Sequence, residues 1–271
     1  MSVKNHSYER KLLIACQLLV FFLLFNSFLA MSEEIISPSA LMKERKQNYS
    51  GWGSSKVDME MTLLTATGEK SVRKLRNLAL EVDKDGDKSI TIFDEPLDVS
   101  GVALLSHSHI VGSDDQWLFL PSLKRTKRIS SSNKSGSFIG SEFAFEDMNS
   151  FECEKYEGSS VREDMLENKP VYIMELKPVY TDSGYTRLVT WLDKEHKQPV
   201  QVEFYDHKNS LLKTLRVSDY KRYKNSAWRA HKLDMRNMQT GKSTQVKFSD
   251  FNFDASLTDA DFNKNVFNKI R

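Results

Sequence analysis

Val57-Asp58-Met59-Glu60-Met61-Thr62-Leu63 alternates without a break. Apolar side chains take every second position, and Asp58, Glu60 and Thr62 fill the places between them. A period of two sends one set toward a core and the other toward water, which marks a half-buried strand. Thr67-Gly68-Glu69 then makes a turn, and residues 70–82 read as the return strand. Asp83-Lys84-Asp85-Gly86-Asp87 is a second turn, leading to a strand at 89–94. The pattern recurs at 116–120, 123–130, 170–177, 186–193, 199–206, 211–224, 227–239 and 242–253. Turns fall at 178–184, 196–199, 207–210, 224–226 and 240–241. Strands and turns in such close succession predict an antiparallel meander. No long helical period interrupts it, which argues against βαβ folds. A meander of about ten strands removes its edges by curling into a barrel or half-barrel, and a large enough barrel encloses a ligand cavity.

Helical signals are confined to the flanks. Ser37-Pro38 supplies an N-cap and a first helical residue. Leu41, Met42, Arg45 and Tyr49 follow at helical spacing, and Gly51 and Gly53 end the run, so one amphipathic helix is expected at about 38–48. Thr258-Asp259-Ala260-Asp261-Phe262 reads as a short capped turn.

The chain has 271 residues, of which 39% are hydrophobic and 28% charged, enough apolar material for a packed core. No repeat or low-complexity linker divides it, so one domain spanning 33–271 is expected. Methionine occurs ten times, Met42, Met59 and Met61 among them, and suits core filling as well as an adaptable apolar surface.

The first residues carry an address. Lys4, Arg10 and Lys11 precede the apolar run LLIACQLLVFFLLFNSFLA, and Ala30-Met31-Ser32 follows as a small-x-small pattern. This is the layout of a cleavable secretory signal over residues 1–32. An uncleaved anchor is the alternative. The run Leu13-Ile14-Ala15-Cys16 is a poor site for acylation, because most of the apolar stretch lies after Cys16. Removal of residues 1–32 takes three bases and Glu9, and the 39 bases and 37 acids of the whole chain become 36 and 36. It also leaves Cys153 as the remaining cysteine, which excludes an internal disulfide and a cysteine-based zinc site.

Candidate chemistry is sparse. Asp83, Asp85 and Asp87 copy the start of an EF-hand loop, but Lys88 replaces the required glycine and Asp94 the required glutamate, so a polar hairpin turn is the better account. His107 and His109 are spaced to share a strand face, yet no third ligand announces itself. No Gly-x-Ser-x-Gly elbow is present. Cys153 sits between Glu152 and Glu154, which opposes a thiolate. No catalytic residue, metal site or cofactor is expected. A secreted hydrolase built on His107, His109 and nearby acids is the least supported reading.

The informative segment is DDQWLFLPSLKRTKRISSSNKSGSFIGSEFAFEDM, residues 114–148. An apolar strand, Trp117 to Leu120, breaks at Pro121, a basic strand with Lys124, Arg125, Lys127 and Arg128 follows, and then come Phe138, Ile139, Phe143 and Phe145. A basic hairpin framed by aromatics suits single-stranded nucleic acid by stacking and phosphate contact. It suits equally an amphiphile with an apolar tail and an anionic head. Export and the neutral mature charge favour the amphiphile over nucleic acid. A solvated charge cluster above a core of aromatics is the plain alternative.

Three strings here, QWLFLPSLKRTKRIS at 116–130, GSFIGSEF at 136–143 and Glu146-Asp147-Met148, resemble the signature of the outer-membrane lipoprotein-sorting proteins. These are similar to the LolA and LolB carriers. The resemblance extends to most of the mature chain, with 116–148 its specific centre. It implies a mainly β fold, a curved antiparallel half-barrel with short lid helices. It implies an apolar concave side that shields acyl chains in the periplasm during transfer toward the outer membrane. It implies an inner-membrane transporter of the RND/MMPL-like or ABC type as partner, and a monomer. The basic hairpin and the WLFLP strand depart from LolA itself, so a lipid other than a lipoprotein is an equal cargo. On this reading Met59, Met61, Leu63, Trp117, Phe119, Phe138, Phe143 and Phe145 line the cavity, and Lys124, Arg125, Lys127 and Arg128 meet headgroups or a partner. The alternative is a periplasmic sensor or adaptor module of an RND-type complex, without carrier activity.

Overall fold

The computed structural model describes residues 36–223, 227–253 and 255–264. The segment expected to be a signal, residues 1–32, and the turn expected at 224–226 lie outside the described residues. Among the described residues no helix is long and apolar enough to cross a membrane.

The helix α1 (Pro38–Gln47) comes first. The Ser37 hydroxyl caps it by accepting from the Ala40 amide at 3.2 Å, and Pro38 takes the first helical position. Six strands follow: β1 (Ser54–Leu64), β2 (Lys70–Leu80), β3 (Lys88–Glu95), β4 (Ala103–His107), β5 (Asp115–Leu120) and β6 (Arg125–Arg128). After a long connection come β7 (Tyr156–Leu166), β8 (Lys169–Pro178), β9 (Arg187–Asp193), β10 (Pro199–Tyr205), β11 (Leu211–Arg222), β12 (Trp228–Asn237) and β13 (Ser243–Asn252).

All pair antiparallel in one 13-stranded sheet, ordered β6-β5-β4-β3-β2-β1-β13-β12-β11-β10-β9-β8-β7. Each half is a meander, and β1 joins β13 at the centre. The order has one consequence for the chain. Between β6 and β7 it must travel from one outer edge of the sheet to the other. Residues 129–155 make that journey, and they make it across one face.

That crossing requires the sheet to curl. The Gln116 amide on β5 donates to the Phe145 carbonyl at 2.8 Å, and the Lys213 ammonium on β11 donates to the Glu142 carbonyl at 3.1 Å. β5 and β11 stand seven strand steps apart in the order. Seven steps cover about 34 Å of flat sheet. Glu142 and Phe145 are three residues apart and span roughly 10 Å at most. Only a sheet wrapped around the crossing segment lets both strands touch it. The result is an unclosed half-barrel.

The segment fills the concave side. Phe138 is fully buried, with ring centroids 5.5 Å from Phe93 and 5.8 Å from Phe145. A second core lies on the other face. There Ile90, Ile92, Ala103, Leu105 and Phe262 pack with Trp117, Phe119 and Leu257, so the capped turn at Asp259–Phe262 covers the back of β3–β5.

Two strands escape sequence reading. β4 is buried at four successive positions and shows no alternation. β7, YEGSSVREDML, is an edge strand with no buried residue and no apolar period. Its Gly158 has a specific task. A Cβ there would lie 2.4 Å from the Pro38 Cβ, so glycine lets α1 rest on the edge. The basic strand is shorter than expected, because Pro121–Leu123 forms a 3-10 turn and Lys124 takes a left-handed φ of 48°.

Because Phe138 anchors the crossing segment, Phe138→Ala should destabilise the protein by about 3–5 kcal/mol. Urea unfolding followed by tryptophan fluorescence measures this. A loss below about 1 kcal/mol would mean that the segment does not hold the curl.

Candidate functional site

The concave face is not filled everywhere. A cavity of about 330 Å³ lies at its centre, between α1 and the strands β2, β1, β13, β12, β11 and β10. Val57, Leu215, Val217, Leu233 and Phe248 form an apolar floor, and Arg45, Lys46, Tyr49 and Phe151 form the roof. Its size falls in the range of small-molecule sites, about 300–1,000 Å³.

The roof is fixed from below. The last carbonyls of a helix have no partner inside it. Here the sheet supplies partners: the Gln198 amide donates to the Arg45 carbonyl at 2.9 Å, the Trp228 amide to the Asn48 carbonyl at 3.2 Å, and Arg229 Nη1 to the Tyr49 carbonyl at 3.0 Å. The Cys153 thiol donates to the Met42 carbonyl at 3.3 Å, and burial raises its pKa, so it acts as an anchor rather than a nucleophile. The Arg45 guanidinium lies 3.6 Å from the Phe151 ring centroid, and burial lowers its pKa.

Ion pairs close the ends of the half-barrel where strand pairing does not. Lys134 pairs with Asp182 at 3.1 Å, and both are buried. Lys155, just ahead of β7, pairs with Asp114 beside β5. The Ser113 hydroxyl also donates to Asp182 at 2.6 Å. Deeper, Lys213 meets Asp147 at 2.6 Å, and Asp147 accepts from the Tyr185 hydroxyl at 2.8 Å. Its neighbour Glu146 accepts from the Gly184 amide at 2.8 Å and from the Ser183 hydroxyl at 2.9 Å. Burial, reinforced by Asp147, pushes the Glu146 carboxyl up to about 7.

The sequence-predicted residues divide into three groups. Met59, Met61 and Leu63 share the concave face, where Met61 pairs with Arg73 and Leu63 with Thr244. Arg73 donates to the Ile139 carbonyl and Thr244 accepts from the Glu142 amide, so these three residues lie under the crossing segment that carries Phe138, Phe143 and Phe145. Trp117 and Phe119 face the opposite side, toward Phe262. None of the eight lines the cavity under α1. Arg125, Lys127 and Arg128 are exposed on the edge strand β6 and Lys124 is exposed just ahead of it, with Arg128 paired to Asp115. Short, charged edge strands resist pairing with other chains.

His107 and His109 do not act together. His107 Nε2 binds the Phe262 carbonyl at 2.8 Å, and its ring meets Trp117 edge-on. His109 Nδ1 binds Asp85 at 2.8 Å. Among the described residues no cluster of His, Cys, Asp or Glu is arranged to hold a metal ion.

A domain from Vibrio parahaemolyticus assigned to the outer-membrane lipoprotein-sorting proteins is 52% identical, with a TM-score of 0.83, over 85% of this chain and 97% of that chain. The chain belongs to the outer-membrane lipoprotein-sorting protein family. A family model described as an uncharacterized protein matches residues 85–269. Two more distant structures share the fold. A DUF1329 family protein from Desulfovibrio piger has 24% identity and a TM-score of 0.79, covering 84% of this chain and 97% of that one. A LolA superfamily protein from Nitrosomonas europaea has 20% identity and a TM-score of 0.67, covering 85% and 99%. No curated protein matches. The half-barrel of this lipoprotein-sorting protein is therefore LolA-like.

The raised Glu146 carboxyl has a consequence for stability. A carboxyl whose folded pKa exceeds its unfolded value binds more protons when folded. Its stabilising effect is complete below the ordinary carboxylate range, about 4.3, and is lost as pH rises through about 7. The melting temperature should therefore fall between about pH 4 and 7, the span of the two pKa values, and Glu146→Gln should flatten that fall. Thermal unfolding across this range measures it; an unchanged slope in the variant would assign the dependence elsewhere.

Proposed function

We propose that this lipoprotein-sorting protein is a periplasmic carrier that shields the acyl chains of a lipoprotein or lipid on the way to the outer membrane. One observation carries the reading: an apolar cavity on the concave side of a LolA-like half-barrel, covered by a single helix. Apolar walls and a small lid are what an acyl chain needs in water. Each buried methylene stabilises the complex by about 0.8 kcal/mol. A chain of some fifteen methylenes gains on the order of 10 kcal/mol before association and ordering costs.

No step of this reading requires a catalytic group. Entry and exit require movement of α1, which is tethered by three hydrogen bonds from Gln198, Trp228 and Arg229 to carbonyls of its last turn and of the two residues that follow it. An inner-membrane transporter of the RND/MMPL-like or ABC type loads it, and a competing apolar site on an acceptor unloads it. The exposed bases on and just ahead of β6 meet anionic headgroups or an acidic partner during that docking. Lys124, Arg125 and Lys127 show no ion pair among the described residues and are available for it.

Filling the cavity should block the carrier while leaving the fold. Leu215→Trp places an indole on the apolar floor and should weaken a fluorescent fatty-acyl probe at least about tenfold, a loss of roughly 1.4 kcal/mol. Phe119→Leu, on the outer face, should leave binding unchanged. Equal binding by Leu215→Trp and wild type would place the acyl chain elsewhere.

A further inference from the structure

Two donors in the cavity wall have nothing to bind. Trp52 Nε1 and Arg229 Nη2 are buried and have no hydrogen-bond partner. Trp52 is 3% exposed and Arg229 8%, and both line the cavity under α1. The other arm of the guanidinium is occupied. Arg229 Nη1 donates to the Tyr49 and Trp228 carbonyls, each at 3.0 Å. Those bonds hold the group in place, 3.8 Å from the Tyr49 ring centroid and 5.1 Å from that of Trp52. The guanidinium carbon lies that close to the indole, so the two unpaired N–H donors are near neighbours, both on residues of the cavity lining.

The surrounding charge points the same way. The cavity lining contains Arg45, Lys46 and Arg229 and no acidic residue. Lys46 is neutralised by the buried Glu152. Arg45 and Arg229 have no carboxylate partner among the described residues. Buried charge without a counter-ion is costly, and so is a buried N–H without an acceptor. An anionic oxygen in the cavity relieves both costs, and a planar guanidinium is suited to carboxylate and phosphate.

We infer that the cavity recognises the anionic head of its acyl ligand, a carboxylate or phosphate bound by Arg229 Nη2 and Trp52 Nε1, with Arg45 supplying further positive charge. This rests on the carrier reading and adds to it. The acyl chain lies over the apolar floor, and the head sits at the guanidinium–indole corner. The ligand is then an acidic amphiphile, distinguished from neutral lipids by its head.

The test compares four probes on the full protein by calorimetry: hexadecanoate, hexadecyl phosphate, methyl hexadecanoate and inorganic phosphate. Hydrogen bonds to charged groups set the expected size of the effect. The wild type should bind the better of the two anionic amphiphiles at least about tenfold more tightly than the neutral ester, and which anion leads identifies the head. Trp52→Phe keeps a ring and removes the N–H; it should reduce that preference several-fold and leave the ester unchanged. Arg229→Gln should abolish the preference. If that variant does not fold, Arg229→Lys, which keeps the charge and loses the fork, should still reduce it. Equal binding of acid and ester by the wild type would overturn head recognition while leaving the carrier intact. Failure of every acyl probe would overturn the carrier reading itself, and head recognition with it. Tight, Arg229-dependent binding of inorganic phosphate alone would make the site one for a small anion, against the proposal.

Discussion

The connection between β6 and β7 sets the shape of the molecule. In the observed strand order these two strands are the outer edges of one sheet, so the chain between them must cross its full width. A 27-residue link cannot do this over a flat sheet and also touch β5 and β11 within a few residues. Curling follows, and with it a concave side. The same segment then supplies the aromatic filling of that side, through Phe138, Phe143 and Phe145. Where the filling stops, α1 covers what is left, and the cavity results. Edges that do not pair are managed in two ways. β6 is short and basic, and the strand ends are joined by the buried pairs Lys134–Asp182 and Lys155–Asp114.

The interior is consequently more polar than a simple lipid container would be. Lys213, Asp147 and Tyr185 form a connected group between the crossing segment and β9–β11, and the neighbouring Glu146 is held by Ser183 and Gly184. Such groups are costly to bury and are specific about geometry, because removal of one partner leaves another charge uncompensated. They fix the crossing segment in register and leave the apolar surface to the cavity floor. These charges are paired, whereas at the cavity wall Arg229 Nη2 and Trp52 Nε1 have no partner.

Much of the fold was legible in the chain. The alternation of residues 57–63 falls in β1, where Val57, Met59 and Met61 are buried as a period of two requires, while Thr62 is buried as well and Leu63 is half-buried. Helix α1 starts at Pro38 behind its serine cap. Most of the meander followed from turn spacing. The two missed strands lacked the signal on which such reading depends: β4 is buried on both faces and β7 on neither. The cavity was harder to see. Its lining comes from α1, the crossing segment and six strands from both ends of the chain, and no local pattern joins Arg45 to Leu215 or Trp52 to Arg229. The aromatic cluster at 117–145 was conspicuous in sequence, but strand alternation sends Trp117 and Phe119 to the outer face, and the loop phenylalanines serve as core. One signal for the cavity was present and went unread. Trp228-Arg229 is a bulky aromatic beside a base at the start of a late strand, and both side chains turn out to line the wall.

The proposed carrier holds its acyl ligand between α1 and the strands β2, β1, β13, β12, β11 and β10. A crystal structure of the protein grown with a bound acyl amphiphile tests it directly. Continuous density for the chain over Leu215, Val217 and Leu233, beneath Arg45 and Phe151, is the predicted result. A chain seated instead against Trp117 and Phe119 on the outer face, with the cavity under α1 empty, would contradict it.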